Sequence, residues 1–241
     1  MVFAAIALAS MGAGIIQSVT GFGAAIFLML VVPLFFDMVT AAALSSSIAM
    51  GLGITLAWKF RAHIQWNICA LPTLVYMVCS VTAIHLVGGI DLDALTLAFG
   101  VFLIILALYF LLFSIRMSFA ANWKSTCLCS ALSGVTSGLF GIGGPLMAVY
   151  FVAASNSKES YIANIQFLFA ATNIASLLTR VSRGIYTADL LPMTLLGFLG
   201  ITLGKQIGLR ILNRLNLNMM KQSVYAFVGL SGLLTVLQQL Q

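Results

Sequence analysis

Two glycine-rich stretches interrupt long apolar runs in this sequence: QSVTGFGAAIF at residues 17–27 and SGLFGIGGPLM at residues 137–147. Glycine allows the backbone to approach a ligand closely, and the first turn of a helix presents free N–H groups with roughly half a positive charge. A Gly-x-Gly turn that opens a half-helix therefore suits a small anion. Pro145 fits the first turn of the second half-helix, where its missing N–H costs nothing. The alternative is that these glycines only permit helices to cross closely.

Polar side chains near the two stretches could complete such a site. Asn164 and Gln166 are the strongest candidates, because an amide donates two hydrogen bonds and is costly in lipid unless it uses them. Ser46 holds the matching place in the first half of the chain, although serines in membrane helices often bond to their own backbone. Asn173 is either a ligand contact or an interhelical bond. Other polar residues close to the glycines are Gln17, Ser18, Thr136 and Ser137. The predicted substrate-binding residues are Thr20, Gly21, Gly23, Ser46, Gly141, Gly143, Gly144, Pro145, Asn164 and Gln166.

Enzymatic, metal and nucleotide chemistry is not indicated. Intramembrane catalysis would need paired acids or a histidine cluster, and the two histidines, His63 and His85, are isolated. Cys127 and Cys129 point about 200° apart on a helix, so they do not converge on a metal. There is no P-loop, so ATP is not expected to drive the protein directly. We expect no enzyme activity and no cofactor. The acidic residues all fall at the ends of apolar segments: Asp37, Asp91, Asp93, Glu159 and Asp189.

The elements that must carry these residues are membrane helices. The chain has 241 residues, of which 62 % are hydrophobic and 7 % are charged. Its apolar runs reach about 20 residues, the length of a helix that crosses a bilayer. Lipid offers no partner to backbone groups, so helices are the expected structure. The net charge of +6 comes from basic residues in short loops, which indicates membrane orientation rather than nucleic-acid binding.

The sequence repeats at an offset of 120 residues, which aligns Gly21 with Gly141, Gly23 with Gly143, and Leu71-Pro72 with Leu191-Pro192. We therefore predict a single membrane transport domain built of two repeats, residues 1–120 and 121–241. Each repeat contains one interrupted segment and three full-length ones. The predicted segments lie roughly at 3–36, 38–58, 66–88 and 93–115, and at 126–155, 160–180, 187–209 and 221–240.

The basic residues decide between two topologies. If every interrupted segment crosses the membrane twice, six basic residues lie inside and five outside, which is no bias. If both are re-entrant hairpins, the two repeats are inverted and nine basic residues lie inside against two outside. The sequence therefore predicts an all-α fold of two inverted repeats, each with a broken-helix hairpin plus three transmembrane helices, and both termini outside. The hairpin tips are expected to meet near the membrane midplane. The two outer basic residues, Arg180 and Arg183, either attract substrate or extend to lipid headgroups.

GLFGIGGPLM and, more loosely, VTGFGAAIFLMLVVPLF are similar to the duplicated glycine-rich motifs of the TauE/SafE family of membrane permeases, the sulfite exporters. The resemblance extends over the whole chain in length, segment count and repeat position. It implies transport of sulfite, organosulfonates or related small sulfur-containing or carboxylate anions. The first motif departs from the family, because Gly21-Phe22-Gly23-Ala24-Ala25 stands where many members have a longer glycine run.

The residues and the resemblance together predict a secondary transporter of small sulfur-containing or organic anions that works by alternating access. We expect it in the cytoplasmic membrane, with a small anion and the lipid bilayer as partners. An anion channel is the main alternative, which the sequence cannot separate from a carrier, and an intramembrane enzyme is less favoured. A coupling proton or ion and a homodimer are both compatible with a small permease.

Overall fold

The computed structural model describes residues 2–95 and 123–216, together with the isolated positions 97, 98, 101, 102, 105, 219 and 222. The fourth segments predicted at 93–115 and 221–240 lie largely outside the described residues, as do Arg116 and Lys221. Every regular element within the described ranges is a helix, so the all-α prediction is confirmed there. The helices are α1 (Val2–Thr20), α2 (Ala24–Met29), α3 (Met38–Lys59), α4 (Trp66–Val87), α5 (Trp123–Phe140), α6 (Gly144–Ala154), α7 (Lys158–Ser182) and α8 (Leu191–Arg214).

Local sequence signals set where several helices begin. The carboxylate of Asp37 caps α3 and accepts hydrogen bonds from the backbone N–H groups of Val39 and Thr40 at 3.0 Å. Ser157 caps α7 in the same way through the N–H of Ser160. Such caps satisfy backbone donors that a helix leaves unpaired in its first turn. The full-length helices therefore begin close to where the sequence predicts.

Five helical segments are long and apolar enough to cross a membrane: Val2–Thr20, Met38–Lys59, Trp66–Val87, Lys158–Ser182 and Ala188–Arg214. Their outer surfaces carry large apolar side chains, such as Leu8 and Leu199, which are 71 % and 66 % exposed. Apolar surface on this scale is unfavourable in water but suits contact with lipid tails. The chain is accordingly a multi-pass membrane protein.

Both glycine stretches form breaks between two antiparallel helical limbs. Gly21, Gly23 and Gly141 have φ values of +84°, +101° and +71°, a backbone conformation that side chains other than glycine rarely adopt. After the first break the chain returns along α1, so that the ring of Phe27 lies over Gly12. After the second break α6 returns along α5, and Thr126 Oγ1 donates to the Tyr150 hydroxyl at 3.2 Å. Two helical hairpins result, α1–α2 and α5–α6.

Each hairpin packs on a helix from the other half of the chain. On α8, Gly200, Gly204 and Gly208 lie against the backbone carbonyls of Ala7, Met11 and Ile15 on α1. These contacts advance in the same direction on both helices, so α1 and α8 are parallel. Likewise, Gly134 and Gly138 on α5 lie against the carbonyls of Tyr76 and Ser80 on α4. Small residues at both crossings let the helix backbones come close together.

At the centre, α3 and α7 run antiparallel. Gly53, in the second half of α3, lies beside Ala170 at the middle of α7, and the loop after α3 bonds to Asn164 near the start of α7. These directions give the molecule two distinct ends. We name the end with Lys59, Arg61, Lys124, Lys158, Arg210 and Arg214 the basic end. The opposite end, with Asp37, Asp91, Asp93, Arg183 and Asp189, is named the acidic end.

Candidate functional site

The two hairpin breaks come together around an internal cavity against the middle of α3, α4 and α7. Gly144, at the start of α6, would meet Phe22 of the first break if it carried a side chain, at 3.1 Å from a Cβ atom. About 30 Å³ of the cavity is open to the centres of water-sized molecules, and one water needs roughly 10–15 Å³ on this measure. The cavity therefore has room for about two or three water molecules, or for a ligand of similar size. Its lining is Gln17, Gly23, Ala25, Ile26, Ser46, Ala49, Tyr76, Ser137, Gly141, Ile142, Gly143, Gly144, Phe169 and Asn173.

Half of the predicted substrate-binding residues lie in this lining. They are Gly23, Ser46, Gly141, Gly143 and Gly144. The hydroxyl of Ser46 donates to the carbonyl of Ala42 at 2.7 Å, as membrane serines commonly do, so its oxygen faces the cavity as an acceptor. The other half of the predicted set lies behind the lining or away from it.

The backbone of Thr20 and Gly21, at the first break, is held from behind by side chains of α7. Gln166 Nε2 donates to the carbonyl of Gly21 at 2.7 Å, and Gln17 Nε2 donates to Gln166 Oε1 at 3.0 Å. The Tyr161 hydroxyl donates to the carbonyl of Thr20 at 2.6 Å. Buried amides are costly unless bonded, so this network fixes the turn firmly. The amide of Gln166 thus positions the Gly21 backbone, and the amide of Gln17 reaches the cavity.

Asn164 and Pro145 have other surroundings. Asn164 Oδ1 accepts from the backbone N–H of Gln65 at 2.8 Å, and its Nδ2 donates to Gln65 Oε1 at 3.2 Å. Asn164 thus joins α7 to the loop after α3, towards the basic end. Pro145 lies in the first turn of α6, as its position in the sequence predicts.

Gly143 is enclosed more tightly than any side chain would allow. A Cβ atom there would collide with the Tyr76 hydroxyl and with the backbone carbonyl of Ser133. The φ of Gly143 is −131°, which other residues adopt readily, so packing rather than backbone conformation requires glycine. The second break is therefore pressed against α4 and its own hairpin partner, and leaves its backbone on the cavity.

The cavity is uncharged, and its lining mixes polar groups with apolar side chains such as Ile26, Ile142 and Phe169. Within the described residues its side-chain donors are Gln17, Ser137, Tyr76 and Asn173, and no acidic or basic side chain lines it. The side chain of Asn173 lines the cavity from α7. Neutral donors and the N–H groups at the start of α6 can stabilise an anion without burying a fixed charge beside it. No three His, Cys, Asp or Glu side chains meet anywhere in the described ranges.

Tyr76 and Phe169 were not indicated by the sequence. Both lie in helices without a glycine break, and their direction towards the cavity depends on how α4 and α7 cross the hairpins.

Arg180 does not extend to lipid headgroups, which was one of the two roles that the sequence suggested for it. Its side chain is buried, with 2 % exposure, and Nη2 donates to the carbonyl of Gly138 at 3.0 Å.

Broken helices that meet at an internal polar cavity in a multi-pass helical protein are typical of membrane transporters. The family model described as Sulfite exporter TauE/SafE matches residues 6–235, and the chain belongs to this family. The resemblance seen in the glycine motifs is thereby confirmed. No curated protein and no solved structure matches the chain.

Proposed function

We propose that the protein is a secondary transporter that moves small sulfur-containing or organic anions, such as sulfite or an organosulfonate, across the cytoplasmic membrane by alternating access. The observation that carries this proposal is the cavity lined jointly by both glycine breaks. Membership of a sulfite exporter family supports the same class of substrate. The cavity size favours a small oxyanion over a larger organic anion in this conformation.

The binding chemistry follows from the lining. An oxyanion between the two breaks would accept hydrogen bonds from the backbone at the start of α6 and from the amides of Gln17 and Asn173. Each of these donors is neutral, so no ion pair holds the anion within the cavity itself. Gly141 and Gly143 allow this backbone to approach the anion closely. Of the ten predicted residues, the five in the lining would contact the substrate, and Gln166 would hold the first break in place behind them.

The helix directions support inverted repeats with re-entrant hairpins as the transport architecture. An inverted repeat requires corresponding helices to run in opposite directions, and α3 and α7 are antiparallel. The basic end would face the cytoplasm and the acidic end the outside, in line with the positive-inside rule. Rocking the two halves of the chain against each other would shift the breaks relative to one another and open the cavity between them to alternate sides of the membrane.

Flux through proteoliposomes tests this function. Purified protein would be reconstituted and loaded with sulfite, and the exchange of labelled external anion measured for sulfite, sulfonates and carboxylates, with and without a pH gradient. We expect saturable flux of at least one sulfur oxyanion, stimulated by the same anion on the opposite side. Flux without this stimulation would indicate a channel instead, and no flux for any anion would contradict the proposal.

Two further measurements address coupling and assembly. Dependence of the flux on the pH gradient would identify a proton as the coupling ion. Light scattering in detergent would test the expected homodimer.

A further inference from the structure

Arg180 is a buried cation at the edge of the proposed transport path. It lies near the end of α7, and its side chain is 2 % exposed. Nη2 donates to the carbonyls of Gly138 and Ser137 at 3.0 and 3.5 Å. Nε has no hydrogen-bond partner among the described residues. The guanidinium is therefore only partly satisfied, although it is excluded from solvent.

No acidic side chain neutralises this charge. The chain has five acidic residues, all of them within the described ranges. The ion pair found there joins Lys158 to Glu159, at the opposite end of the molecule from Arg180. A buried charge without a partner is strongly unfavourable, and arginine does not lose its proton to escape the cost.

The carbonyl contacts alone do not account for the burial. A cation near the last turn of α5 gains from the helix dipole, but this gain is smaller than the cost of removing a guanidinium from water. Arg183 shows the ordinary alternative, because it lies three residues later on the same helix and is exposed. Among the described residues, therefore, the charge of Arg180 has no negative partner.

The surroundings of Arg180 connect it with the cavity. Ser137, whose carbonyl it contacts, also lines the cavity. Asn173 lines the cavity from α7 and precedes Arg180 by seven residues, two turns along the same face of the helix and about 10 Å along its axis. Arg180 thus lies beyond Asn173 in the direction of the acidic end, behind the second break.

We propose that Arg180 is a substrate-binding residue, which holds the transported oxyanion through its Nε–H on the acidic-end side of the cavity. This inference rests on the proposed anion transport. A guanidinium is suited to the role, because its planar N–H groups match two oxygens of one oxyanion. The neutral donors of the cavity and the charge of Arg180 would form two successive stations for the same anion.

The test compares Arg180→Met with Arg183→Met, which removes an exposed arginine from the same helix. Sulfite flux in proteoliposomes and thermal unfolding in detergent, with and without sulfite, would be measured for both. We expect Arg180→Met to raise the KM for sulfite by about tenfold or more and to abolish stabilisation by sulfite. Its melting temperature without sulfite should equal or exceed that of the wild type, because an unpaired buried charge has been removed. Arg183→Met should stay within about twofold of the wild-type KM.

Arg180→Lys is the second variant, and it tests the substrate-binding role if Arg180→Met does not fold. It keeps the charge but loses the planar fork, so an intermediate rise in KM is expected. The inference is overturned if the wild type transports sulfite and Arg180 variants keep its KM and its stabilisation by sulfite. It is also overturned if Arg180→Met unfolds earlier and transports more slowly at an unchanged KM, which would make Arg180 a structural cap of α5. Absence of flux in the wild type would instead contradict the proposed function itself.

Discussion

At the scale of single residues, Gly143 is the most sensitive point of the cavity. Its Cβ in Gly143→Ala would meet the carbonyl of Ser133, which belongs to a helix backbone and cannot rotate away. We expect the second break to move and transport to fall by about tenfold or more, while membrane insertion is unchanged. Gly89→Ala is the matched control, since a Cβ there would find only the carbonyl of Leu86, at 3.7 Å. Proteoliposome flux at equal protein content measures both, and wild-type flux in Gly143→Ala would contradict the prediction.

Gln166 governs the first break from behind the cavity. Gln166→Leu keeps most of the side-chain volume but leaves the carbonyl of Gly21 and the amide of Gln17 unpaired. A buried polar group without a partner costs about 1–3 kcal/mol, so the melting temperature should fall by several degrees. Gln206→Leu makes the same change at an exposed position of α8 and should leave it unchanged. Equal melting temperatures for the two variants would show that the network does not stabilise the fold.

The residues of the cavity could be predicted from the sequence only in part. Gly23, Gly141 and Gly143 were predicted because their backbone role follows from local chemistry. Gln166 was predicted as a ligand, but an amide can bind either a ligand or a backbone carbonyl, and only the fold shows that it faces Gly21. Tyr76 carries no local signal, since a tyrosine within an apolar helix faces lipid, core or cavity depending on how that helix is packed.

At the scale of helices, the glycines serve two separate purposes that the sequence left as alternatives. Glycines within the breaks bring backbone to the cavity, whereas helical glycines let α1 cross α8 and α5 cross α4. Gly204 is the closest such contact, against the carbonyl of Met11. Glycine spacing alone could not show which helix each hairpin packs on, because the partner helix lies in the other repeat. Close helix crossing is therefore observed at the helical glycines, whereas anion binding by the glycines of the breaks stays a prediction.

Gly204→Leu tests the crossing of α1 and α8. The added side chain would push apart two backbones that are in contact, and we expect a lower melting temperature and less folded protein after extraction. Thr202→Leu adds an apolar side chain to the exposed face of the same helix and should have little effect. Fluorescence-detected gel filtration after heating measures both variants. Equal thermal stability would mean that close packing at Gly204 does not hold the hairpin in place.

At the scale of the whole molecule, charge and helix direction agree with each other. The positive-inside rule predicts one side for the basic residues from loop charge alone, independently of helix packing. In the structure Lys59, Lys124 and Lys158 lie at one end because α3 ends where α4, α5 and α7 begin. Helix packing and loop charge are independent properties of the sequence, so their agreement supports one orientation in the membrane. The segments that follow α4 and α8 lie largely outside the described residues and do not enter this comparison.

Labelling of single cysteines in whole cells tests that orientation. The four native cysteines would be replaced, and cysteine introduced in place of Lys124, Lys158, Asp91 or Thr187. A membrane-impermeant maleimide should label Asp91→Cys and Thr187→Cys in intact cells, whereas Lys124→Cys and Lys158→Cys should react only after the membrane is opened. Labelling of Lys124→Cys and Lys158→Cys alone in intact cells would reverse the orientation and make the basic end external. Labelling of Lys124→Cys but not of Lys158→Cys would place the two ends of the α5–α6 hairpin on opposite sides of the membrane, so this hairpin could not be re-entrant. Such a result would also contradict the packing of α5 and α7, which places both residues at the same end.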